Sequence, residues 1–136
     1  MAASTQTSPS VPGQETLERY ADLIVGLGAN VQTSQLVEVR AELDKAELVR
    51  EVVASAYRRG ARYVGVAWHD PLVRRARVEH SEHPLDFVAP WDEYRVRQLG
   101  EQRAARISIS PLNPPELFAD LDSAKVALEP YAYLPP

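Results

Sequence analysis

The chain contains no cysteine. Disulfide frameworks, zinc ribbons and thiol nucleophiles are therefore excluded. Lysine is scarce: thirteen of the fifteen basic residues are Arg, and only Lys45 and Lys125 are Lys. A basic excess is also missing, since 15 Lys and Arg stand against 19 Asp and Glu, for a net charge of −4. A dedicated nucleic-acid binder should carry the opposite balance, so no nucleic-acid partner is expected. Nowhere do 18 apolar residues run uninterrupted, so the sequence predicts no transmembrane helix and no membrane partner. Met1 to Gly13 carries no charged side chain. It has neither the basic start nor the apolar stretch of about 7–15 residues that a secretory leader needs, and a cytoplasmic location is the expectation.

What is present is ordinary for a globular protein: 45% apolar and 25% charged residues in a chain of 136. That length predicts one domain burying about two-thirds of its surface, enough for a core without disulfides. The Ser, Thr, Gln and Pro content of residues 1–13 predicts a disordered tail. Residues 129–136 read as a Pro-rich tail, leaving an α/β domain over 14–128.

Within that domain, Leu17, Tyr20, Ala21, Ile24, Leu27 and Val31 recur at helical spacing. Gly26 and Gly28 weaken the end of this helix, or let it approach a neighbour closely. Leu36 to Ala41 is β-rich. Asp44 and Glu47 form a capping-box-like pair at the start of a second helix. Its apolar stripe is Val49, Val52, Val53, Ala56 and Tyr57, with Arg58 and Arg59 in the last turn and Gly60 as the stop. Arg62 to Trp68 is a nearly continuous apolar run, which predicts a strand covered on both faces. Strand, helix and strand make a βαβ unit. Further helices are expected over Leu72–Glu79, from Pro71, and over Phe87–Leu99 despite Pro90. A third strand is expected over Arg106–Ser110. Glu116–Leu121 reads as a helical turn and Ala124–Glu129 as a helix capped by Asp122 and Ser123. The order predicts a three-layer α/β sandwich with a small, mainly parallel sheet.

In such sheets ligands bind beyond the carboxyl ends of the strands. That rim comprises Glu42, Leu43 and Asp44, then His69 and Asp70, then Ser110 to Asn113. His69 and Asp70 are its ligand candidates. The competing reading makes Asp70 the cap of the helix opened by Pro71, and His69 a solvated loop residue. Nucleotide binding fails on glycine, because Ala41-Glu42-Leu43-Asp44 matches neither phosphate-binding loop and its acids repel phosphate. His80 and His83 have metal-ligand spacing, but Pro84 and the polar setting favour a hinge. Two basic clusters, Arg58, Arg59 and Arg62, and Arg74, Arg75 and Arg77, read as solvated faces paired with nearby acids. No residue reads as catalytic or as a metal ligand.

Four segments together carry a resemblance: Leu17–Gln32, Gln35–Pro71, Arg74–His80 and Pro84–Trp91. In order, they resemble the N-terminal domain of the thermophilic-aminopeptidase family of metallopeptidases, the aminopeptidase T and S type. The resemblance runs over roughly Leu17 to Leu128. It implies exopeptidases that remove N-terminal amino acids from peptides with two divalent metals (zinc, cobalt or magnesium) bridged by water. Such an ion pair generates hydroxide near neutral pH and polarises the scissile carbonyl. It also implies homodimers, and metal ligands placed in a larger C-terminal domain. No residue here matches those ligands, and Pro111 stands where the family usually has a glycine-containing turn. The resemblance thus implies a non-catalytic N-terminal domain without its metal-binding partner. The alternative is a stand-alone interaction or oligomerisation module.

Overall fold

The computed structural model describes residues 13–109 and 115–128. The expected tails, apart from Gly13, and the rim segment Ser110–Asn113 lie outside the described residues. Three strands form one parallel sheet: β1 (Leu36–Glu42), β2 (Tyr63–His69) and β3 (Ala105–Ile109), in the order β2-β1-β3. The helices are α1 (Gln14–Leu23), α2 (Ala46–Arg58), α3 (Pro71–His80), α4 (Pro90–Glu101) and α5 (Ser123–Leu128).

The chain leaves β1 toward β2, then returns past β1 to β3. Parallel crossovers are right-handed, so this reversal sends α2 to one face of the sheet and α3 with α4 to the other. Side-chain contacts agree. Val37, Val39 and Ala41 alternate onto the face where Ala21 and Val25 of the α1 segment and Val49, Val52 and Ala56 of α2 pack. Val64 of β2 and Ala105 and Ile107 of β3 complete this core. Glu38 points to the opposite face, where Arg95 of α4 reaches it.

Three expectations are corrected. The apolar strand Tyr63–His69 is an edge, with Tyr63 and Trp68 exposed, while β1 is the buried centre. An unbroken apolar run records side-chain polarity, not the number of strand neighbours. Asp44 caps nothing: Leu43–Lys45 form a 3₁₀ turn, and the N-cap of α2 is Lys45, with no side-chain cap bond. Pro90 does not sit inside its helix but opens it, after Ala89 in extended conformation. Proline lacks the N–H that an interior turn requires, and its fixed φ suits the first position.

Other local rules hold. Gly60 follows α2 at φ +91, donating its N–H to the Tyr57 carbonyl at 2.9 Å. A Cβ there would lie 3.2 Å from Thr33 Cγ2, so both conformation and space select glycine. Asp122 caps α5 through the Ala124 N–H at 3.0 Å. Beyond Leu23 the first helix widens into a π-helical turn, Ile24–Gly28. Gly26 there allows a close approach, since a Cβ would meet Arg59 Nη1 at 3.0 Å; Gly28 faces nothing beyond its own helix. Arg59 Nε donates to the Val31 carbonyl at 3.2 Å, locking this turn to the end of α2.

The core is built from small side chains, mostly Val and Ala. Aromatic residues normally dominate core energetics. Here Tyr20, Tyr57, Tyr63, Trp68, Phe87, Trp91 and Tyr94 are all exposed, Trp91 by 73%. α4 has no buried residue at all, whereas α2 has four.

Candidate functional site

Glu42 and His69 are direct partners in the β1–β2 register, at the carboxyl ends of their strands. Glu42 is almost enclosed, and its Oε1 makes no hydrogen bond. His69 Nε2 lies 3.7 Å away, within ion-pair reach but too far for a hydrogen bond. The 3₁₀ turn brings Leu43 and Asp44 alongside, and Asp70 and Pro71 close the other wall. Together these six residues line a cavity of ≈ 190 Å³.

Asp70 is the N-cap of α3, its Oδ1 accepting from the Leu72 N–H at 2.9 Å. The competing reading of Asp70 as a cap is therefore the one observed. His69 remains 42% exposed, with the Glu42 carboxylate as its nearest ionic partner. The two groups face each other across the small cavity without a hydrogen bond between them. Among the described residues no group of three His, Asp or Glu is placed to hold a metal ion. The strand order also places the topological switch between β1 and β3. His69 and Asp70 terminate the outer strand instead, one strand away from the usual ligand crevice.

His80 and His83 do not share a helix face. α3 ends at His80, and His83 lies in the following loop, its N–H donating to Ser81 Oγ at 3.3 Å. Members of both basic clusters make structural contacts. Arg75 grips Asp120 with two hydrogen bonds, at 2.7 and 2.6 Å, and donates to the Leu117 carbonyl at 2.6 Å. Arg74 lies 4.7 Å from the Phe118 ring centroid, a cation–π contact. These bonds tie the segment after β3 onto α3. Asp22 accepts from Ser55 Oγ at 2.5 Å and from Arg58 at 3.1 Å. The Ser55 bond, with Arg58 adding to it, holds the Asp22 carboxyl below its ordinary range.

The hydrogen bonds from Arg75 hold the Asp120 carboxyl down at about 2, against an ordinary value of 3.8. A depressed acid stabilises the fold above its unfolded pKa and loses that contribution as pH falls through the folded value. The Arg75–Asp120 clasp should therefore hold at pH 5 and release as pH falls from about 4 to about 2. Amide exchange over residues 115–121 in the unaltered chain and in Asp120→Asn measures this. The variant should show the released level already at pH 5; equal protection in both would refute the clasp.

A larger cavity, ≈ 860 Å³, opens between the end of α3 and the start of α4. Leu85, Phe87, Val88 and Trp91 give it an apolar floor, and Arg77, His83, Asp86 and Asp92 a mixed polar rim. The sequence placed Phe87, Val88 and Trp91 in an ordinary helix and left Leu85 outside it. Phe87, Val88 and Trp91 have helical spacing, so the available signal was Pro90, which a helix interior excludes.

The fold and site thus define a parallel α/β unit with an open strand-end rim, an apolar cleft and, among the described residues, no cluster able to hold a metal. The chain belongs to the thermophilic metalloprotease (M29) family, whose model matches residues 13–133. That match extends beyond Leu128, past the stretch expected from the resemblance. Aminopeptidase 2 of Geobacillus stearothermophilus is 34% identical over 117 residues, covering 84% of this chain and 28% of that protein. Aminopeptidase AmpS of Bacillus subtilis is 34% identical over 116 residues, covering 83% of this chain and 28% of that protein. Among solved structures, wild-type AmpT from Thermus thermophilus superposes with a TM-score of 0.75 at 28% identity, over 86% of this chain and 30% of that one. The chain therefore spans little more than a quarter of the length of the curated relatives it matches. Among the described residues no helix is long and apolar enough to cross a membrane.

Proposed function

We propose that this chain is the non-catalytic N-terminal domain of a two-metal aminopeptidase, acting in the cytoplasm. In that reading the divalent metals, zinc, cobalt or magnesium, and the peptide substrate belong to the remainder of the enzyme. The observation that carries the reading is coverage: the matched aminopeptidases align with this chain over only 28% of their length. The domain's role would be to wall the substrate cavity and exclude long or folded peptides. The exposed α4 and the cleft at Phe87 and Trp91 supply apolar surface for a covering domain.

The test is hydrolysis of aminoacyl-anilides by the purified chain with added zinc or cobalt. The expected rate equals the blank. Turnover above blank that survives separate replacement of His69, His80 and His83 by Ala would place the chemistry in this chain and end the proposal.

A second reading is an interaction or self-association module without enzymatic activity. It is favoured by the concentration of exposed aromatic side chains, both tryptophans included.

A further inference from the structure

A carboxylate taken out of water is stabilised by a hydrogen-bond donor or a cation, and one with neither calls for an explanation. Glu42 is such a group. Its side chain is only 12% exposed, and its Oε1 is buried with no hydrogen-bond partner. Its nearest ionic partner among the described residues is His69, whose Nε2 stands 3.7 Å away. The other cations nearby are engaged. Lys45 Nζ lies 3.7 Å from Asp44 Oδ2, and Arg40, two residues back on the same sheet face, makes contacts of its own. Asp70 commits Oδ1 to the cap of α3. The cavity of ≈ 190 Å³ beside Glu42 and His69 is thus walled by three carboxylates and an imidazole, with Leu43 and Pro71 as its apolar sides.

We propose that this cavity binds a small primary ammonium ion, its nitrogen held between Glu42 Oε1 and His69 Nε2. The spacing supports it. At 3.7 Å the two acceptors are too far apart to bond each other, yet one nitrogen can sit about 2.9 Å from both. An ammonium carries its N–H donors on a single centre, so it serves both acceptors and leaves a donor for Asp44 or Asp70 in the same wall. His69 accepts as the neutral ring, with its proton on Nδ1. Charge disfavours the alternatives. An anion would meet three carboxylates. A metal ion lacks its donors, since no group of three His, Asp or Glu among the described residues is placed to hold one. A water bridging the same two atoms would leave the carboxylate charge uncompensated. Size limits the substituent. At roughly 30 Å³ for each water-sized group, the cavity takes about six heavy atoms, and Leu43 and Pro71 suit a short carbon chain. A lysine-type side chain and a chain amino terminus both present this chemistry. Binding here needs neither a metal nor hydrolysis, so its failure would leave the aminopeptidase-domain reading standing.

The test is titration of the isotope-labelled full chain with methylammonium chloride, followed by NMR of the His69 ring and the Glu42 amide. At about pH 7 free imidazole is mostly neutral and amines are charged. Saturable shifts are expected, with a Kd of about 1–10 mM. Tetramethylammonium chloride has the charge but no N–H, and should bind at least about tenfold more weakly. Equal shifts from that salt or from sodium chloride would reveal general screening and overturn the proposal. So would shifts that do not saturate by about 100 mM methylammonium. Glu42→Gln keeps the shape, removes the charge and should weaken methylammonium binding at least about tenfold. Unchanged affinity in that variant also overturns the site. If the variant does not fold, the two cations compared on the unaltered chain decide. n-Butylammonium and alaninamide then distinguish the sources. Tighter binding of the first assigns the site to a lysine-type side chain, and tighter binding of the second to a chain amino terminus.

Discussion

Glu38→Ala should destabilise the chain by about 3 kcal/mol, the lower part of the range for breaking a buried ion pair. Glu38 is only 5% exposed in the middle of β1. Its carboxylate accepts from Arg95 of α4, and from Arg106 of β3 at 3.2 Å. Arg106 is also its direct partner in the sheet register. Removing the carboxylate leaves two guanidinium groups facing a buried gap. Each is about a third exposed, so water relieves part of the cost. On the scaling for domains of this size, the melting temperature should fall by about 10–15 °C. A second readout is local. α4 has no buried residue, so the Arg95–Glu38 bond is a principal tie to the sheet. Amide exchange should accelerate over 90–101 more than over 46–58. Thermal melts showing a shift of under about 3 °C would mean the triad contributes little beyond a surface pair.

Val39→Asp should abolish folding, while Val66→Asp should leave a folded, weakened protein. The two residues are direct partners on neighbouring strands, so the substitution is chemically identical in each. Val39 is 0% exposed at the sheet centre, and a carboxylate there has no cation to meet on the core face. Such burial costs several kcal/mol, comparable with the stability of a whole domain. Val66 is only partly buried and lies on the edge, where a carboxylate can turn toward water. Circular dichroism with urea melts separates the two. If Val66→Asp were the more damaging, β2 would be the strand covered on both sides, as its sequence suggests.

That contrast shows what kind of information the sequence holds. Helix stops, caps and strand positions depend on neighbours a few residues away. Gly60, the Asp122 cap and the bounds of β1 to within one residue were all legible for that reason. Asp44 was misread because a 3₁₀ turn displaced the start of α2 by one residue, which leaves Lys45 and not Asp44 at the N-cap. The cleft at Phe87 and Trp91 was missed because helical periodicity reports a stripe of apolar residues, not what lies against it. The strand-end rim was legible as far as Glu42, His69 and Asp70. Their division of labour was not, because a cap and an ion pair look alike in one dimension.

The sequence by itself determined the class of fold, the βαβ unit and the family resemblance, because local periodicity and matched segments encode all three. It also excluded thiol chemistry outright, by composition. Only the tertiary structure decided the strand order β2-β1-β3, and with it which apolar strand is central and which is an edge. It alone joined Glu38 to Arg95 and Arg106, residues 57 and 68 positions away. The physical reason is the same in both cases. Strand pairing and buried charge compensation depend on contacts between distant segments, and no local pattern of residues specifies which distant segment will arrive.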